Sequence, residues 1–558
     1  MNYQLEFFRK ISADKNYEEL ISEVKFVYKK LFSEDIKALK YSEFKLFSET
    51  GSRIEYERSL FNRRGRLLSS SILYMLYEKK EYLTSLCDTI WAICDEYTWC
   101  LPAHLGDSGE DVYKHIDLFS AEVGFSLAEI YTILSEKLPD VINKRIKYEI
   151  KRRITSSFME RSFWWEKGVS NWAAVCAGSV GATYILMEPE SFPVVEARIR
   201  DAMSYFLSSY EDDGVCREGY SYWYYGFGYF VCYADLLYDF TDGKSNYFAD
   251  EKIKKIAEFQ QKALIQGNVT ASFSDGSIKS AFNLGLTHYL KSKFDISLID
   301  EKYKSSYIRG ECDDCYRYAT AIRDFVWYNP DYKNAPADYN FYHLESSQWY
   351  INKKENYAFA AKGGDNDEPH NQNDVGCFVI AVNNEQLICD VGCGEYTKAY
   401  FRADTRYTFI VNSSRGHSVP IICGKEQSFG KEFKGEILSA DPFGLKIQLA
   451  EAYDAKELDS LVRSFSFNDN EVILRDEFSF NSENADYIER FITKHEPKAA
   501  DGAVIIENME IRFDKALFDL KITREPYRNH NALDDALYTI DFTPTSNSMM
   551  AEFRFILS

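Results

Sequence analysis

Apolar residues recur every three or four positions through roughly the first 325 residues. Ile116, Phe119, Val123, Leu127, Ile130 and Leu134 form one such stripe, the spacing that places side chains on one face of an α-helix. Similar stripes lie near 18–32, 69–97, 141–158, 171–187, 193–210, 221–240 and 251–265, with little proline between them. The pattern predicts a large all-α region of many antiparallel helices. The stretch 328–338 breaks it with two prolines among polar residues and reads as a linker. Beyond it the period changes to two: Val472, Leu474, Phe478 and Phe480 alternate with Ile473, Arg475, Glu477 and Ser479, and further short strands fall at 504–506, 511–513 and 553–555. Strands without intervening helices predict an antiparallel β-sandwich. The expected class is multi-domain α and β, with a helical domain over 1–330, a linker over 331–345 and a sandwich over 346–558.

Composition narrows the function. At 45% hydrophobic, with 41 Tyr and 40 Phe, the chain buries a large core, and tyrosines in such number also suit sugar-binding clefts, where a ring meets a pyranose face and a hydroxyl adds a hydrogen bond. The 66 Lys and Arg against 87 Asp and Glu give a net charge of −21, which argues against a nucleic-acid partner, since no basic field attracts phosphates. The basic runs at 62–66 and 151–153 read as solvated helix faces. A long polyanion is repelled overall, whereas a short anionic oligomer reaching a locally neutralised pocket is not. No stretch approaches the ~20 apolar residues of a membrane span and no run resembles a signal peptide. The expectation is a cytoplasmic protein without a membrane partner, or a secreted or periplasmic one if a leader has been removed; homo-oligomerisation is left open. Most of the twelve cysteines, such as Cys94, Cys176, Cys232, Cys377 and Cys389, sit singly in apolar segments as buried thiols do. Cys312-Asp-Asp-Cys315 is a close pair without a second, and does not make a zinc site.

Candidate chemistry gathers at four places. Residues 363–376 form a polar, glycine-bearing loop with His370 among carboxylates and amides. Two β-branched runs flanking Asn383-Asn384 follow it and predict a hairpin. A loop fixed to such a hairpin is a way to hold a reactive side chain rigidly. Ser170 or Asn171 stands where the helix that includes Trp172 is capped. Asp212-Asp213-Gly214 leads into Glu218 and the tyrosine-rich run 220–227, where Tyr222 and Tyr225 share a helical face. His104 lies in a loop that precedes a helix.

Glu218-Gly-Tyr-Ser-Tyr-Trp-Tyr-Tyr-Gly-Phe, Asn171-Trp172 on a helix, and His370-Asn-Gln-Asn-Asp-Val-Gly with the later Asp390-Val-Gly-Cys-Gly-Glu-Tyr396 together resemble the heparinase II/III-like polysaccharide lyases. The resemblance covers nearly the whole chain. It implies an incomplete α/α toroid followed by an antiparallel β-sandwich, with the active site between them, and β-elimination on an anionic oligosaccharide or polysaccharide that contains uronic acid, glycosaminoglycans foremost, leaving a 4,5-unsaturated uronate end. That chemistry needs a group to neutralise the uronate carboxylate, a base for the C5 proton and an acid for the departing oxygen. By resemblance Asn171 is the neutraliser, His370 the base and Tyr222 the acid, chosen among Tyr220, Tyr222, Tyr224 and Tyr225. His104, Trp172, Glu218, Tyr225, Arg406 and Tyr407 are then expected to line the substrate.

Some relatives hold a structural zinc in the sandwich, and the corresponding positions here are Gln372, Asp390 and His417. Glutamine is a poor zinc ligand beside imidazole, so a structural zinc is left open and no cofactor is expected to be required; without metal, Asp390 and His417 are expected to pair behind the His370 loop. Three rivals remain. A glycoside hydrolase on a toroid would use paired carboxylates from Asp212, Asp213, Glu218 and Asp374. A catalytically inactive sugar-binding protein would keep the scaffold without turnover, and a C5 epimerase would need the proton abstraction but no leaving group.

Overall fold

The computed structural model describes residues 5–105, 111–304, 306, 308–310, 314–332, 338–482, 485–546 and 548–558. By contact the chain divides into two compact units that interleave along the sequence. One holds 1–209, 223–254 and 281–334; the other holds 210–222, 255–280 and 335–558. Cys312 of the close cysteine pair and residues 333–337 of the expected linker lie outside the described residues. The first strand after that stretch, Phe341–Leu344, begins within 331–345.

The first unit is helical. Its centre is Asn171–Met187, buried on every side from Ala173 to Ile185. An all-round apolar helix requires neighbours all round, and Leu118–Leu134, Phe192–Leu207 and Gly228–Phe240 supply them. Small residues permit the close approach: a Cβ on Gly181 would come 2.6 Å from the Tyr233 ring. The stripe near 69–97 is two helices, Ile54–Tyr77 and Lys80–Cys94, because Glu78 ends the first in the left-handed region at φ 49. Among the described residues no helix is long and apolar enough to cross a membrane.

The second unit is built on antiparallel sheets. Among the described residues, nine strands run in the order Lys498–Ala500, Ala503–Ile506, Met509–Arg512, Met550–Leu557, Glu471–Phe480, Leu458–Phe467, Gly444–Gln448, Gly430–Asp441 and Gly364–Asn366. Five more run Phe341–Leu344, Trp349–Lys353, Ala358–Lys362, Phe378–Val382 and Glu385–Ile388, and four run Phe518–Arg528, Asp534–Pro544, Tyr487–Thr493 and Ile421–Ile422. Side chains from these three sheets share one core, including Phe359, Phe378, Phe465, Phe491, Phe542, Phe553 and Phe555, and a separate two-stranded sheet pairs Leu264–Gln266 with Val269–Thr270. Fully buried Arg463 crosses this core's polar seam. It donates to Asp476 at 2.7 Å and Glu489 at 3.2 Å, and to the carbonyls of Gly376 and Ser418. The five cysteines expected as buried thiols are buried and free.

The expected hairpin is present. Phe378–Val382 pairs with Glu385–Ile388, and Asn383 and Asn384 turn the chain at φ 52 and 62, the two left-handed residues of a type I′ turn. The run at 220–227 departs from a regular helix. A short turn, Tyr220–Tyr222, passes into a π-helical turn, Trp223–Phe227, before Gly228–Phe240. Insertion of the wider turn takes Tyr222 and Tyr225 off the shared face that three-residue spacing predicts.

Candidate active site

The His370 loop is tied at both ends by one ammonium. Buried Lys362, at the end of its strand, donates to Glu368 at 3.1 Å and Asp374 at 2.9 Å, bracketing the five residues 369–373 that include the histidine. Burial works against the Lys362 charge, but the two carboxylates outweigh it and hold its pKa above the ordinary range. Arg217 adds a 3.1 Å bond to the other Glu368 oxygen. From the far side, Arg406 donates to the Asn371 carbonyl at 2.9 Å, and the Asn371 amide donates to the Tyr407 hydroxyl at 3.1 Å. His370 itself sits in the left-handed region, φ 59.

What His370 meets was only partly legible. Its ring stacks on Tyr222, centroids 4.4 Å apart, and its Nε2 lies 3.5 Å from a Glu218 oxygen. Its Nδ1 bonds Asp275 Oδ2 at 2.7 Å. Asp275, absent from the sequence reading, is a buried hub. Tyr396 donates to Oδ2 at 2.8 Å and the Gln372 amide to Oδ1 at 3.1 Å, the Tyr400 hydroxyl lies 3.0 Å from Oδ1 and 2.8 Å from Asn412 Oδ1, and Arg406 stands 3.6 Å from Oδ1. Tyr396 and Tyr222 share a 2.6 Å hydroxyl bond. A Ser274-Asp275-Gly276 turn is the only local signal for this residue. It is held by close backbone approach: Gly392, at φ +67, passes so near that a Cβ there would lie 1.6 Å from the Gly276 carbonyl oxygen.

Electrostatics separates the groups. Burial alone would raise the Asp275 pKa, yet His370, Arg406 and Tyr396 bring it down to about 2, so it is an ionised acceptor. Burial disfavours charge on His370, but Asp275 and then Glu218 overcome this and raise its pKa. Burial first, and Asp275 second, push Tyr222 well above the ordinary phenol, so it keeps its proton.

The other expected residues fall into two groups. In the sheet-bearing unit, Gln372 commits its amide to the Ser274 carbonyl at 2.8 Å, to Asp275 and to the Gly392 carbonyl. Asp390 and His417 do pair, Oδ2 to Nδ1 at 3.2 Å, but the third group beside them is Cys377, its Sγ 4.0 Å from Asp390. Sequence reasoning missed Cys377 because it reads as one more apolar thiol entering a strand. In the helical unit, Asn171 is the first residue of the central helix and is buried. Trp172 lies between His104, at 4.8 Å, and the exposed Trp164, at 4.9 Å. His104 is oriented by Asp117, 2.8 Å away, which also caps Leu118–Leu134. Tyr225 donates to Glu122 at 2.6 Å beneath the Arg317 guanidinium, so its hydroxyl has a different partner from that of Tyr222.

The Cys377, Asp390 and His417 set suits a borderline-soft cation. The three ligand atoms lie within 4.8 Å of one another; tetrahedral zinc with such ligands separates them by about 3.3–3.7 Å. His417 Nε2 donates to the Val411 carbonyl at 3.1 Å, and its buried Nδ1 makes no well-aligned hydrogen bond. That is how a histidine is oriented when the other nitrogen is a ligand.

Several solved structures share this fold. A heparinase III matches with TM-score 0.61 and 13% identity over 94% of this chain and 85% of its own. Heparan sulfate lyase HepC from Pedobacter heparinus matches with TM-score 0.58 and 11% identity over 100% and 91%. A chondroitin AC lyase of Streptomyces coelicolor A3, solved with chondroitin sulphate, matches with TM-score 0.51 and 9% identity over 97% and 83%. No family model and no curated protein matches the sequence. The likeness is one of fold: a helical N-terminal part and a C-terminal region of antiparallel sheets.

Proposed function

We propose that this protein is a lyase that cleaves a uronic-acid-containing glycan of glycosaminoglycan type by β-elimination. The observation that carries the reading is the pairing of an imidazole with a proton-retaining phenol: His370, fixed by a carboxylate at Nδ1, stacks on Tyr222. His370 Nε2 takes the C5 proton, the electron pair of that C–H bond forms the C4–C5 double bond, and the C4–O bond breaks. Tyr222 supplies the proton for the departing oxygen. The uronate carboxylate must be neutralised for the first step, and Asn171 is assigned that role by resemblance, with His104, Trp172, Glu218 and Tyr225 assigned to substrate contact. The fold likeness to lyases of heparan sulfate and chondroitin supports the substrate class, and it supports reading the helical unit as an incomplete α/α toroid and the sheets as a β-sandwich.

The hydrolase alternative is weakened by the state of its carboxylates. Asp374 is fully buried against Lys362, and Asp213 accepts from both the amide and hydroxyl of Ser347 at 2.8 and 2.7 Å. A zinc ion held by Cys377, Asp390 and His417 would supply a structural cross-link between the hairpin and the segment that follows Val411. No step of the reaction uses it.

The test is ultraviolet absorbance of the unsaturated uronate across heparan sulfate, chondroitin, alginate and polyglucuronate oligomers. Absorbance rising on one substrate is expected. His370→Ala and Tyr222→Phe should each lower kcat by about 10²-fold or more, the second while keeping the stacked ring. Reducing ends without absorbance would show hydrolysis instead, and binding without turnover that survives both substitutions would show a sugar-binding protein.

A further inference from the structure

We infer that Asp275 is the positioning residue of this site, setting the tautomer of His370 and the direction of the Tyr222 hydroxyl bond at once. The inference rests on the lyase reading for its catalytic consequence, but its structural content stands apart from turnover. An ionised carboxylate only accepts hydrogen bonds, through about four lone-pair sites. Here three donors occupy it, His370 Nδ1 and Tyr396 on Oδ2 and the Gln372 amide on Oδ1, while the single Tyr400 hydroxyl hydrogen lies between Oδ1 at 3.0 Å and Asn412 Oδ1 at 2.8 Å.

Two consequences follow from that occupancy. His370 Nδ1 must carry hydrogen, which leaves the Nε2 lone pair as the group that receives a proton. Tyr396 directs its hydrogen at Asp275, so in its 2.6 Å contact with Tyr222 it accepts and Tyr222 donates. The resting chain therefore runs from Tyr222 through Tyr396 to Asp275. When Tyr222 passes its proton to the departing oxygen, the Tyr396 hydroxyl can turn from Asp275 to the new phenolate and stabilise it by a charge-assisted bond. One buried carboxylate thus orients the base directly and the acid through one intermediary.

The arrangement also assigns a task to Gln372. With its amide on Asp275, Ser274 and Gly392, it ties the carboxylate to two backbone segments. Its two amide hydrogens are shared among these three acceptors, whereas a neutral histidine there would bring one N–H.

The experiment combines Asp275→Asn with ring-¹⁵N-histidine spectra of the full chain, His370 being assigned by difference from His370→Gln. An asparagine at 275 presents an NH₂ where an acceptor is required and should invert or mix the tautomer. At a pH above the acid limb of the rate, where the ring is neutral, wild type is expected to show hydrogen on Nδ1 alone. Asp275→Asn should show hydrogen on Nε2 or a mixture, with kcat lower by about 10²–10⁴-fold, as for an Asp→Asn change behind a catalytic histidine, and KM within about threefold. Tyr396→Phe leaves Asp275 in place and should keep the Nδ1–H tautomer while lowering kcat by about tenfold. An Nε2–H wild type, or Asp275→Asn with the tautomer unchanged, would overturn the inference. The expected tautomer change in a protein that forms no unsaturated product would uphold it and refute the lyase reading instead. Thermal unfolding of both variants checks that each is folded.

Discussion

A non-glycine residue in the left-handed region costs about 1–2 kcal/mol, and His370 is held there by the Lys362 tie on one side and Arg406 on the other. The strain buys a fixed imidazole, and the surroundings set its charge. Because Asp275 and Glu218 raise its pKa against the effect of burial, the neutral base is lost as pH falls through a value higher than that of free imidazole. The acid limb of kcat/KM is therefore expected above about pH 6.5. In Asp275→Asn it should move to lower pH, since burial, which favours the neutral ring, then acts with less opposition. Tyr222 titrates well above 10, so it contributes no alkaline limb below about pH 10. Initial rates of unsaturated product between about pH 5 and 9 decide this, and an acid limb at or below 6.5 in the wild type would refute it. His370 and Tyr222 were chosen from the order of their motifs in the chain, and the structure stacks their rings. Asp275 was not legible, since a Ser-Asp-Gly turn is ordinary and nothing local links it to a histidine 95 positions on.

At the scale of elements, local pattern succeeded where local forces decide. Asn383-Asn384 between β-branched runs could only turn tightly, and the central helix runs over the expected 171–187. It failed where tertiary packing decides. The π-helical turn at Trp223–Phe227 redirects Tyr225 to Glu122, a partner no spacing rule reveals. Gln372 and Cys377 make the same point: five residues apart on one loop, they differ in which one lies beside Asp390 and His417, and backbone path settled it. Cobalt(II) loaded in place of zinc tests that outcome, since a thiolate ligand gives a near-ultraviolet charge-transfer band. One metal per chain and a strong band are expected. Cys377→Ser should abolish the band, and Gln372→Ala should retain it. A band that survives in Cys377→Ser, or metal that is not retained at one per chain, would remove the zinc from the proposal.

The whole molecule was legible in class but not in partition. Helices first and antiparallel strands after were read from periodicity alone, whereas the transfer of 210–222 and 255–280 to the sheet-bearing unit depends on contacts between residues far apart in sequence. That transfer is what puts Tyr222, Glu218, Asp275 and His370 in one compact body. The net charge acts at this scale too, and it opposes the substrate class. A chain at −21 and a sulfated polymer repel at distances up to a Debye length, about 30 Å at 0.01 M salt and about 8 Å at 0.15 M. A long polymer faces much of the protein's surface during encounter, while a tetrasaccharide faces little beyond the site. Between those salt concentrations kcat/KM on the polymer is therefore expected to rise by about threefold or more, with less than about twofold change for the tetrasaccharide. Parallel initial-rate series on the two substrates measure this directly. A fall with salt on both would mean that cations near the site, such as Lys398 and Arg402, which are exposed on the segment after Tyr396, govern encounter in place of the overall charge.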